Sequence, residues 1–182
     1  MTATSMNPGT YTLDAINRMN ADAFAAAFGK VYEHSPWIAQ RAFEARPATG
    51  FATIAALHGA LVATVGSATR DEQLMLLRAH PELAGVEAAA GTLTSDSTHE
   101  QNAAGLNARS ADEVERLRAL NAHYSDKFGF PFIIAARNNT KAAIYGTLEA
   151  RLHNTADMEL RNALAQVGEI ARLRLAAMST QA

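Results

Sequence analysis

The chain has 182 residues, 48% of them hydrophobic and 19% charged, a balance that supports one globular domain with its own core and excludes a disordered one. Sixteen Lys and Arg against 18 Asp and Glu leave a formal charge of −2, so no overall positive field draws it to nucleic acid or to an anionic membrane. Cysteine is absent, which excludes disulfides, thiolate zinc sites and cysteine nucleophiles, and no apolar run reaches the length of about 18 residues that would span a bilayer.

The first ten residues, Met1 to Thr10, are small and polar and read as a flexible tail without a signal-peptide pattern. Asn20 is placed to cap a helix running through Phe24, Phe28 and Val31. Trp37, after Ser35 and Pro36, reads as a packing anchor, with Glu33 and Arg46 as buried partners near it. From Thr53 to Ala68 the residues Ile54, Leu57, Leu61 and Val65 recur at helical steps. Thr69 and Glu72 then have capping-box spacing ahead of Leu74 to Leu77. Ala79 to Asp96, with Pro81, Gly85 and Gly91, reads as a long loop, and a loop of that size in a compact domain points to function or disorder.

Ser97 and Glu100 repeat the capping-box spacing for a helical segment to Leu106. Ser110 and Glu113 repeat it again before a stripe of Val114, Leu117, Leu120, Tyr124 and Phe128, with Gly129 as the stop. Gly129 to Asn139 is a joint with an aromatic cluster, in which Pro131 argues against a central strand. A helix is predicted from about Lys141 to Leu152. Another runs from about Ala156 to Ala177 on a face of Met158, Leu160, Leu164, Val167, Ile170, Leu173 and Met178, with Arg172 and Arg174 near its end, where the helix dipole favours positive charge. The expected fold class is therefore all-α: a single-domain compact bundle of about seven to nine helices covering residues 1–182. The expected location is cytoplasmic, the Met178 to Ala182 ending not being a peroxisomal address.

None of the six histidines pairs with another at the i, i+4 spacing that grips zinc on one helix face, so no metal site is expected. There is no P-loop, no dinucleotide-binding glycine motif and no G-x-S-x-G elbow. His80 stands where a helix gives way to Pro81; it suits general acid–base work there, and it equally suits closing the preceding helix. Around Ser97 and Glu100 a capping role competes with a helix N-terminus offering N–H groups to an anionic ligand, with Ser97 and Gln101 adding side-chain hydrogen bonds. Arg137 can fork onto a carboxylate or a ureido carbonyl, or form a surface ion pair. Phe128, Phe130 and Phe132 read as core or as a ligand wall. On residues alone, a non-catalytic helical module that holds a small ligand or serves assembly stays open.

Taken in order, these fragments resemble one family. Glu33-His34-Ser35-Pro36-Trp37, Arg46-Pro47 and Arg78-Ala79-His80-Pro81-Glu82-Leu83-Ala84-Gly85 come first. Ser97, Glu100-Gln101, Ala104-Gly105-Leu106, Leu120-Asn121 and Tyr124 follow, and then Lys127-Phe128-Gly129-Phe130-Pro131-Phe132-Ile133, Arg137 and Arg151-Leu152. From about Leu13 to Leu175 the chain is similar to the 2-oxo-4-hydroxy-4-carboxy-5-ureidoimidazoline (OHCU) decarboxylases. The resemblance implies a helical fold, no cofactor, and conversion of OHCU to (S)-allantoin and carbon dioxide in urate breakdown. It places the acid–base histidine on His80 and its partner glutamate on Glu100. It places substrate contacts on Pro81, on Ser97, Thr98, His99, Glu100 and Gln101, and on Ile133, Ile134, Ala135, Ala136 and Arg137, with Phe130 beside them. Thr98, His99, Ile134, Ala135 and Ala136 would act through backbone or wall shape. The expected partner is the small-molecule substrate, and a homodimer is compatible with the apolar helix faces.

Overall fold

The computed structural model describes residues 10–83, 85, 91–106 and 110–179; the expected N-terminal tail, apart from Thr10, and much of the loop after Leu83 lie outside these. Among the described residues the chain is all-α, as its apolar periodicity predicts. In chain order the helices are α1 Leu13–Asn17, α2 Ala21–Phe28, α3 Trp37–Glu44, α4 Ile54–Ser67, α5 Arg70–Arg78, α6 Ser95–Ala103, α7 Ala111–Phe128, α8 Lys141–Arg151 and α9 Ala156–Met178. A single turn of 3-10 helix, Ala136–Asn138, precedes α8. Among the described residues no helix is long and apolar enough to cross a membrane.

The described residues fall into two compact units, one formed by residues up to Thr69 together with those from Ala171, the other by Arg70–Ile170. In the first unit three helix starts are set by short polar side chains that accept orphan N–H groups: Thr12 from Ala15, Asn20 from Ala23 at 2.9 Å, and Thr53 from Ala56 at 3.0 Å. Helix α2 packs on α3 and α3 on α4. Phe24 lies at the centre, its ring 4.8 Å from Phe28, 5.3 Å from Phe43 and 6.1 Å from Phe51. Asn17 fixes the chain before α4 by pairing with both backbone groups of Phe51, at 2.8 and 2.9 Å.

Here the structure refines the sequence reading. Helices α1 and α3 are additional to those read from the sequence: α1 is a single turn, and Pro36 at the start of α3 provides no side-chain cap. Trp37 is half-buried beneath the Arg41 guanidinium, and the buried face of α3 is Ile38, Ala39 and Ala42. Glu33 is buried, but its partner is Arg174, at 2.7 Å. Arg46 instead donates to the Met19 carbonyl and lies over the Phe43 ring. Arg174 is thus a buried core cation and not a dipole-compensating surface residue; its Nη1 also donates to the Val31 carbonyl. Met158, expected on the apolar face of α9, is exposed.

The second unit holds α5 to α8 and α9 up to Ile170. Helix α7 forms as its sequence dictates. Ser110 and Glu113 make both bonds of a capping box, and Gly129 closes the helix at φ 77°, a left-handed conformation that glycine adopts without a Cβ penalty. Thr140 caps α8 in the same way as the other threonines. Tyr124, Phe128, Phe130 and Phe132 form one aromatic cluster, with Phe132 set edge-on to Tyr124 at 5.3 Å.

Candidate active site

Every candidate site residue belongs to the second unit. His80 follows the last turn of α5, where its backbone N–H still bonds to Leu77, and its side chain is buried. The ring Nδ1 lies 2.9 Å from the Leu76 carbonyl. A carbonyl only accepts, so Nδ1 carries the proton and Nε2 is the basic nitrogen of the neutral ring. Two side chains tie this turn to its surroundings. Arg78 Nε donates to the Gly129 carbonyl at 2.8 Å, coupling the end of α5 to the end of α7. Asn121, buried on α7, donates to the Leu83 carbonyl at 3.0 Å and so fixes the chain just beyond Pro81, itself half-buried.

Helix α6 starts earlier than its capping-box spacing predicts. Thr94 is the cap, its hydroxyl accepting the Ser97 N–H, so Ser97 lies inside the first turn and is not the N-cap that a box with Glu100 requires. The physical reason is burial: Ser97 and Gln101, one turn apart, share a face that is buried, and capping by Thr94 leaves the Ser97 hydroxyl for that face. Glu100 is half-buried, and Thr98 points to solvent. The His99 side chain lies outside the described set. His80, Ser97, Glu100 and Gln101 each make further polar or electrostatic contacts within the protein.

The third element is the segment after α7. Helix α6 packs against the 3-10 turn at Ala136–Asn138, which brings the Ser97–Gln101 stretch to the Ile133–Arg137 stretch. Phe130, Ile133, Ile134, Ala135 and Ala136 are buried, whereas Arg137 is exposed. Phe130 packs into the aromatic cluster with Tyr124 and Phe128. The backbone here belongs to no ladder, so side chains satisfy it. Arg151 Nη1 donates to the Ile133 carbonyl at 2.8 Å, the Ala135 N–H donates to Gln166 at 2.9 Å, and Asn139 donates to the Ala135 carbonyl at 3.0 Å.

Behind this segment lies a buried polar network that the sequence reading missed. Glu159, fully buried, accepts from Arg151 Nε at 2.6 Å, from Asn154 at 2.7 Å and from the Tyr124 hydroxyl. Burial pushes the Glu159 carboxyl up, but the hydrogen bonds from Arg151, Asn154 and Tyr124 outweigh it and hold the group below its ordinary value. Burial, and then the bond to Glu159, push the Tyr124 hydroxyl upward, so it stays protonated and donates. Glu159 sits three residues into a polar-looking first turn of α9, where the dipole alone accounts for an acid; nothing local marks it as buried. Among the described residues no three His, Asp or Glu side chains gather to hold a metal ion.

A family model for OHCU decarboxylase matches residues 17–176. The chain is 41% identical, over 91% of its own length and 94% of the relative's, to the 2-oxo-4-hydroxy-4-carboxy-5-ureidoimidazoline decarboxylase of Haloferax volcanii. It superposes on a crystal structure of (S)-allantoin synthase with a TM-score of 0.76 and 30% identity, covering 93% of this chain and 54% of that one. A second structure, OHCU decarboxylase in the presence of (S)-allantoin, matches 81% of this chain and 94% of its own with a TM-score of 0.64 and 26% identity. The model match runs through α5, α6, the 3-10 turn and the helices that hold them, and the chain belongs to the OHCU decarboxylase family.

Proposed function

We propose that this protein decarboxylates OHCU to (S)-allantoin and carbon dioxide in urate degradation, with His80 as the acid–base group and Glu100 as its partner. The observation that carries this reading is the His80 ring, buried at the end of α5 and pinned through Nδ1 to the Leu76 carbonyl. That bond fixes one tautomer and one orientation, which a proton-transferring imidazole needs. In the substrate the carboxylate sits on a carbon beside a ring imine. As the carbon–carbon bond breaks, carbon dioxide leaves and the electron pair moves into the imine, so no external electron sink is needed. A proton then returns to one face of the ring carbon that bears the ureido group. His80 serves this chemistry at the substrate hydroxyl or at the ring carbon. Glu100 orients the ureido N–H groups, and Ser97 and Gln101, buried on the same face of α6, fix the ring. Pro81 and Phe130 shape the wall, Thr98 and His99 act through their backbone, and Arg137 with the Ile133, Ile134 and Ala136 amides meets carbonyl oxygens.

The reading is tested by circular dichroism during coupled urate oxidation, with urate oxidase and hydroxyisourate hydrolase generating the labile substrate in place. An (S)-allantoin signal growing rapidly only when this protein is added supports it. Slow racemic allantoin at the spontaneous rate would reduce the chain to a ligand-holding module.

A further inference from the structure

We propose that Arg151 is a positioning residue of the active site, fixing through the Ile133 carbonyl the backbone stretch that meets the substrate; the inference rests on the function proposed above. Arg151 is the last residue of α8, and its side chain is buried. One edge of its guanidinium is anchored by Glu159, which receives Nε at 2.6 Å. Another edge reaches the Ile133 carbonyl with Nη1 at 2.8 Å. The planar group lies over the Phe132 ring, 4.7 Å from its centre, a cation–π contact that adds to the two hydrogen bonds in fixing its direction.

Residues 131–135 form no helix and pair with no strand, so their shape depends on side chains that grip the backbone. Side chains that do so include Arg151 at Ile133, and Gln166 and Asn139 at Ala135. Gln166 and Asn139 are only part-buried, whereas Arg151 is held in a closed network with Glu159, Tyr124 and Asn154. A rigid fork locked on one side by a carboxylate transmits its position to whatever its other side holds. Lysine carries its three donors on a single nitrogen in place of the planar fork, and cannot reproduce the separate bonds of Nε to Glu159 and Nη1 to Ile133. Arg151 touches no reacting atom in this scheme. It acts by setting where the amides after Ile133 stand.

The test compares the parent with Arg151→Met and Arg151→Lys, at a temperature where far-ultraviolet circular dichroism shows all three folded. Should either single variant fail to fold, Arg151→Met combined with Glu159→Leu removes the buried charges as a pair, a swap that buried ion pairs often tolerate. Two quantities are read: steady-state kinetics in the coupled assay, and amide hydrogen exchange across residues 133–137. Positioning predicts a rise in KM of about tenfold with kcat nearly unchanged, and exchange at Ala135 faster by about tenfold, with lysine restoring neither. A loss of kcat alone, or KM and exchange both unchanged in a folded variant, would overturn it. A parent that releases no carbon dioxide refutes the proposed function instead. The exchange measurement still decides the grip: faster exchange upholds it, unchanged exchange removes it.

Discussion

The buried Glu33–Arg174 pair offers a sharp test of how the first unit holds together. The two side chains are 3% and 6% exposed and bond at 2.7 Å, and Arg174 also donates to the Val31 carbonyl. Arg174→Met keeps most of the side-chain volume but takes the Arg174 charge away from the Glu33 carboxylate. Breaking one side of a buried pair costs about 3–5 kcal/mol, far above the roughly 1 kcal/mol of an exposed pair. For a chain of this size each kcal/mol shifts the melting temperature by about 2–4 °C, so Tm should fall by roughly 6–20 °C. Thermal and urea unfolding followed at 222 nm give both Tm and free energy. Glu33→Leu with Arg174→Met removes both charges together and should recover most of the loss, because the penalty lies in the uncompensated ion. An Arg174→Met protein melting within about 2 °C of the parent would refute the reasoning. So would a double variant as unstable as the sum of the single changes.

Other consequences are as direct. His80→Asn should fold normally yet lose about 100-fold or more in kcat, the scale of general acid–base catalysis, as measured in the coupled assay. Glu100→Gln keeps the shape and removes the charge, so unchanged kinetics would show that the carboxylate charge is not used. Glu159, whose carboxyl is held below its ordinary value, contributes stability that is complete above the unfolded-state pKa and is lost as pH falls through the folded one. Urea midpoints should therefore drop below about pH 4.3, and Glu159→Gln should flatten that part of the profile. Ser110→Ala removes the acceptor for the Glu113 N–H and should cost about 1 kcal/mol by urea unfolding, with activity retained in the folded protein.

The features legible in the sequence were those fixed within three or four residues. Asn20 and Ser110, read as caps, each accept an N–H from a residue three positions on, and the apolar steps of α4, α7 and α9 follow the helical period. His80 and Glu100 were marked by the ordered family landmarks and not by local chemistry, since a histidine at a helix end and an acid three residues after a serine both have ordinary structural uses. Tertiary structure decided what the local rules left degenerate. Thr94 and Ser97 are both capping residue types, and with the Ser97–Gln101 face buried it is Thr94 that caps α6. Arg174 meets Glu33 across 141 residues, and Arg151 reaches back 18 residues to Ile133 while holding Glu159. A charged side chain in an amphipathic helix carries no local sign of whether it will face water or a buried partner. That choice belongs to the packed core, where an unpaired charge is too costly to keep and a distant residue must supply its match.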